Sequence, residues 1–162
     1  MKLNLGSSSN KYEGWTNIDY LEDVGADIVA DVTALPMADN SVDEIWASHV
    51  LEHTKIEDRA LEEWFRVLKP GGRITVAVPD MLMAYTMYRA GIWTFEWFTA
   101  TIFGLSTVDK SLTKGHVHHQ VFTGDMLMEQ MKVYFPDAKM GPGAGLREPQ
   151  YGEVMMEGHK II

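Results

Sequence analysis

Five groups of residues have the types and spacing that carry chemistry. Leu3, Asn4 and Leu5 run into Gly6-Ser7-Ser8-Ser9-Asn10, an apolar segment ended by small residues. Such a turn lets backbone N–H groups approach a ligand closely. Asp19 closes a second run, Trp15 to Asp19, and its carboxylate can accept both hydroxyls of a ribose. Asp31 follows a third run, 27–30, and with the Val32 backbone it suits the edge of an adenine ring. Ser48 and His49 end a fourth run, where an imidazole can orient or deprotonate a hydroxyl or an amine. The fifth group is His116-Val117-His118-His119, in which alternate residues of an extended chain share a face. No nearby carboxylate has ligand spacing, so no metal site is expected there, and His116 or His119 is read as a pocket residue. Glu52 and His53 are read as structural. One aspartate at a strand end usually caps a helix or sits in solvent. The order of all these groups along the chain gives them weight.

Apolar runs and turn signals define the elements around these groups. The apolar runs 2–5, 15–19, 27–30, 42–48 and 73–79 read as strands, with a turn over 50–53. Ala60, Leu61, Trp64, Phe65 and Leu68 recur at three- and four-residue spacing, which predicts an amphipathic helix over 57–68. Lys69-Pro70-Gly71-Gly72 is its stop and the reversal into the fifth strand. Strands separated by crossovers predict a mostly parallel α/β sheet, and ligands bind such sheets beyond the carboxyl ends of the strands. Gly6 to Asp19 leaves no room for a crossover helix, so the first helix is expected to be missing or a single turn. Its loss should uncover apolar sheet surface, to be covered by another subunit or by the aromatic-rich segment 81–112. That segment reads as an insertion of one or two helices broken by Gly91 and Gly104, with Trp93, Phe95, Trp97, Phe98 and Phe103 read as core or oligomer contacts in preference to an acceptor-binding lid. A helix from Thr123 through Met131, strands over Val133–Phe135 and Glu153–Glu157, and a loop over 141–145 complete the reading.

Bulk properties set the frame. A chain of 162 residues supports one domain over 1–162. With 23 acidic against 14 basic side chains the net charge is -9, which opposes nucleic acid and anionic membrane surfaces as partners. The absence of cysteine removes disulfides and thiolate chemistry, and the cytoplasm is the expected compartment. The N-terminal ten residues lack the apolar core of a signal peptide, and no stretch reaches transmembrane length.

The strings LNLGSSS (3–9), GWTNID (14–19), DIVADVTALPMADNSVDEIWASHVLEH (27–53) and LKPGGRITVAVPD (68–80) resemble successive motifs of small class I S-adenosylmethionine-dependent methyltransferases. The resemblance is collinear over nearly the first half. The segment from His116 to Thr123 and Met155-Met156-Glu157-Gly158-His159-Lys160 are similar more loosely. It implies a Rossmann-like class I methyltransferase sandwich with S-adenosyl-L-methionine as cofactor. Asn4, Leu5, Gly6, Ser7 and Ser8 would then line the methionine part, and Asp19 with Tyr20 the ribose. Asp31 and Val32 would hold the adenine, and Ser48 and His49 would sit beside the sulfonium. His49 and His116 are the candidate catalytic residues, acting on a small-molecule acceptor, with a homo-oligomer as a further expectation. Where that family has an acidic residue and several glycines, this chain has Asn4 and Gly6 alone, followed by three serines. The alternative reading is a non-catalytic protein of the same fold serving as an assembly partner. A dinucleotide oxidoreductase is set aside, because three spaced glycines opening a helix are absent.

Overall fold

The structure, a computed structural model, describes residues 1–104, 117–141 and 152–161. Seven strands form one sheet in the order β3-β2-β1-β4-β5-β7-β6. These are β1 (Lys2–Leu5), β2 (Thr16–Asp19), β3 (Ile28–Val29), β4 (Val42–Ser48), β5 (Leu68–Pro79), β6 (Lys139–Met140) and β7 (Glu153–His159). Strands β1 to β5 pair in parallel, and β7 runs antiparallel between β5 and β6. Helix α1 (Ala60–Val67) connects β4 to β5, and α4 (Gly124–Tyr134) leads to β6. Between them lie α2 (Met81–Arg89) and α3 (Phe95–Phe103). The mixed α/β architecture is the expected Rossmann-like one.

Helix α1 forms because its apolar residues share a stripe. Ala60, Leu61, Trp64 and Val67 are all buried. Trp64 is fully buried, and its indole Nε1 donates to the Val32 carbonyl at 2.9 Å, which ties α1 to the loop after β3. Helices α2, α3 and α4 start on caps of one kind. Asp80, Thr94 and Thr123 each accept the N–H three residues on. Asp80 also accepts from Gly124 N at 3.0 Å, so one carboxylate joins the starts of α2 and α4.

The sheet has two chemically distinct faces. Leu3, Leu5, Ile45, Ala47, Ile74, Val76, Val78, Val154 and Met156 form one core cluster with Leu61, Trp64, Leu127 and Met131 of α1 and α4. Cross-strand register puts Lys2, Glu44, Arg73 and His159 in one row of the opposite face, and Asn17, Asn4, Trp46, Thr75 and Glu157 in the next. The expected apolar surface left by a missing first helix is therefore not there. No helix lies between β1 and β2, as anticipated, but the strands beneath alternate apolar and polar. The oligomer expected on that ground loses its physical reason.

Three further expectations change. Val133 and Tyr134 finish α4 and Phe135 caps it, and the strand follows at β6. The Lys69–Gly72 reversal is a bulge within β5. There the β4–β5 register slips, and Gly71 N–H bonds Lys160 O while Lys160 N–H bonds Gly72 O. The aromatic residues of α2 and α3 are not a buried core: Phe95, Trp97 and Phe103 are more than half exposed, whereas Tyr88 stacks on Phe98 at 5.3 Å. Residues 105–116 and 142–151 lie outside the described residues, and with them His116, the end of the 81–112 segment and most of the 141–145 loop.

Two outcomes follow. Trp64→Phe leaves the Val32 carbonyl unpaired and a void beside it, and should lower unfolding free energy by about 2–4 kcal/mol in urea denaturation. Glu44 is partly buried, which raises its pKa, but Lys2 and Arg73 outweigh this and hold it below the usual value. Its depressed folded-state pKa contributes stability above the unfolded value that is lost as pH falls. Glu44→Gln should therefore flatten the acid limb of Tm against pH and cost about 0.5–1 kcal/mol at neutral pH.

Candidate functional site

The switch point of the sheet lies between β1 and β4, the neighbours from which the order runs to β3 on one side and to β5 on the other. The turn after β1 therefore opens at the place where doubly wound sheets hold ligands. Gly6 has φ 61°, and a Cβ built there would lie 2.7 Å from Val50 Cγ2. Glycine is thus required to bring the turn against the loop after β4. Ser7 is buried, its hydroxyl has no partner among the described residues, and its N–H continues the β1–β2 ladder to Ile18 O at 3.0 Å. Ser8, at φ 44°, donates its N–H to Asp19 Oδ2 at 2.8 Å. Asp19 Oδ1 accepts from Leu21 N at 3.0 Å, and the residue is 6% exposed. Tyr20 beside it is half exposed.

Asn4 and Leu5 point to opposite sides. Leu5 is fully buried in the core, so only its backbone can face the crevice. Asn4 Nδ2 donates to Asn10 O at 2.8 Å and to Asn17 Oδ1 at 2.9 Å. A carboxylate could not make these two donations. After β3, Asp31 Oδ1 is taken by the Thr33 N–H and hydroxyl, while Oδ2 and the Val32 N–H have no partner among the described residues.

After β4 the chain turns at His49, which has φ 55° and donates its N–H to Ala77 O at 2.9 Å. Its ring lies between two buried carboxylates. Nε2 is 2.7 Å from Glu153 Oε2, and Nδ1 is 3.4 Å from Glu52 Oε1. Burial depresses the imidazole pKa, but Glu153 and Glu52 prevail and lift it to about 9. At neutral pH His49 is an imidazolium and a donor. Glu153 was missed by sequence reasoning, which saw it only as the start of a strand. Its antiparallel pairing with Pro79 carries it 104 residues back to His49. Glu52, fully buried, also faces His53 and His118, and these imidazoles with His49 hold its pKa down against the effect of burial.

The structure brings Asn4, Gly6, Ser7, Ser8, Asp19 and Tyr20 into one cluster. It places Asp31 and Val32 one strand outward, and Ser48 and His49 across the switch point. A separate surface concavity of about 460 Å³ is lined by Asp39, Glu62, Glu63 and Arg66 and contains none of these residues. Its charges pair among themselves, Arg66 with Glu63 and Asp39.

Known proteins resemble this chain in sequence and in fold. Residues 9–76 match a family described as methyltransferase domain. Methyltransferase GfsG of Streptomyces halstedii is 33% identical over 97 residues, 60% of this chain and 32% of that protein. A demethylmenaquinone methyltransferase of Renibacterium salmoninarum is 48% identical over 50 residues, 31% of this chain and 21% of that protein. The chain thus spans about a third or less of the curated relatives it matches. Among solved structures, a SAM-dependent methyltransferase of Methanosarcina mazei superposes with TM-score 0.67 at 18% identity, covering 99% of this chain and 92% of that one. Sheet order, collinear motifs and the match over 9–76 agree: the chain has the Rossmann-like fold of the SAM-dependent methyltransferase structures and is similar to the methyltransferase-domain family over that segment.

Proposed function

We propose that this chain transfers the methyl group of S-adenosyl-L-methionine to a small-molecule acceptor. The reading rests on the 2.8 Å bond from Ser8 N–H to Asp19, which joins the turn after β1 to the end of β2 beside the switch point. The residues present fit an adenosyl group. Each Asp19 oxygen accepts one N–H, and a carboxylate offers about four lone-pair sites, so one on each oxygen is left for a ribose hydroxyl. Asp31 Oδ2 and the Val32 N–H supply an acceptor and a donor for an adenine edge. Asn4, Leu5, Gly6, Ser7 and Ser8 would flank the methionine part, mainly through backbone.

The cofactor, when bound, supplies an electrophilic methyl on a positively charged sulfur. The chain's own part is alignment and exclusion of water. His49, with its ring nitrogens turned to Glu153 and Glu52, would line the site beside the sulfonium. Two carboxylates flank one imidazole, so this patch is negative whatever the state of His49, and it favours a sulfonium over the neutral product. The chain's charge of -9 supports a small acceptor over nucleic acid. Among the described residues no helix is long and apolar enough to cross a membrane. A structural neighbour fits this substrate class: a Burkholderia thailandensis 1,6-didemethyltoxoflavin-N1-methyltransferase holds its small acceptor together with S-adenosylhomocysteine, and superposes with TM-score 0.61 at 15% identity over 99% of this chain and 71% of that one.

The second reading, a non-catalytic assembly partner, draws on the burial of Ser7 in the first turn and of Asp19 at the end of β2. Calorimetric titration separates the two. Methyl transfer requires binding of both S-adenosylmethionine and its demethylated product. Asp19→Asn should weaken both by about 1.5–3 kcal/mol, roughly tenfold or more. Glu153→Gln should lower affinity for the sulfonium form about threefold relative to the product. No heat and no thermal stabilisation from either ligand would establish the assembly reading.

A further inference from the structure

Glu52 is 1% exposed, and neither of its carboxylate oxygens has a hydrogen bond among the described residues. On one side it meets His49 at ion-pair distance. On the other stand two half-buried imidazoles, His53 and His118, whose ring centroids are 4.7 Å apart and nearly perpendicular. One donor atom from each of Glu52, His53 and His118 lies within 4.8 Å of the other two.

The tautomers are set by the backbone. His53 Nδ1 is 3.0 Å from Val117 O, and His118 Nδ1 is 3.1 Å from Ile102 O. A carbonyl only accepts, so both Nδ1 atoms carry hydrogen, and in the neutral rings both Nε2 atoms keep a lone pair. A ring N–H anchored on a backbone carbonyl is how proteins hold metal-binding imidazoles. The two segments that carry the donors are also clasped. His119 N and Gln120 N both donate to Glu52 O, at 2.8 and 3.1 Å, and Gln120 Nε2 donates to Thr54 O at 3.0 Å.

We propose that Glu52, His53 and His118 bind one divalent transition-metal ion, zinc by its donor set, on the side of Glu52 away from His49. Two imidazole nitrogens and one carboxylate oxygen match sites that keep a fourth position open. Calcium and magnesium prefer oxygen-only shells, and a chain without cysteine offers no thiolate for softer ions. A tetrahedral ion with bonds of about 2.0–2.1 Å sets its donors about 3.3 Å apart, so the three side chains would close inward by roughly an ångström. The carboxylate absent from the local His116–His119 spacing is supplied by a residue more than sixty positions earlier.

The test is calorimetric titration of tag-free, chelator-treated protein with Zn²⁺, and optical titration with Co²⁺, both without S-adenosylmethionine. One equivalent should bind, and Co²⁺ should give the visible bands of a four- or five-coordinate nitrogen and oxygen site. His118→Ala and His53→Ala should each weaken Zn²⁺ binding by about tenfold or more, Glu52→Gln likewise, and His119→Ala should leave it unchanged. Should Glu52→Gln fail to fold, the two histidine variants decide the matter. Absence of stoichiometric binding overturns the proposal, as does binding that survives His118→Ala and His53→Ala. Either result leaves the methyl-transfer reading intact, because no cofactor enters the measurement.

Discussion

The structure depends on how β1 and β2 are made parallel by only the ten residues between Leu5 and Thr16. A parallel connection must cross back over a face of the sheet, and it normally takes a dozen or more residues with a helix to do so. A helix satisfies its own backbone and asks the sheet below for apolar contact. A bare loop does neither, and needs partners for its peptide groups. Asn4 and Asn17 provide them: Asn17 Oδ1 accepts from Tyr12 N at 3.0 Å, and Asn4 reaches Asn10 O. Asp27 secures the arrangement by accepting from both the backbone and the side chain of Asn17.

This exchange accounts for the chain's departures from the methyltransferase motifs it resembles. An acid at position 4 could not donate to Asn10 and Asn17, so an amide stands there. The serines after Gly6 are held by the end of β2, Ser7 through the ladder and Ser8 through Asp19. The row Lys2, Glu44 and Arg73 extends the same polar character across three strands, with Lys2 also over the Trp15 ring at 5.2 Å.

Much of this was legible in residues alone. Four of the first five strands lie within a residue or so of where apolar runs end on Gly or Asp, because burial on the core face leaves a strong local signature. The polar face was not legible, since Asn4 and Glu44 each look like an ordinary interruption until register aligns them with Asn17 and Arg73. The strand misplaced onto Val133–Phe135 shows the ambiguity of a short apolar run, here the last turn of α4 packing Phe135 into the core. The partners of His49 were hidden for another reason. Glu153 reaches it through an antiparallel strand, and no local spacing encodes a contact between elements so far apart in sequence.

The two outermost strands, Ile28–Val29 and Lys139–Met140, are two residues long. A sheet that ends so abruptly offers almost no free ladder for a foreign strand to extend. Assembly by edge-to-edge addition is thereby discouraged, and with it the commonest route from an exposed sheet to a fibril. A protein that has given up a covering helix on one side remains guarded at its rims.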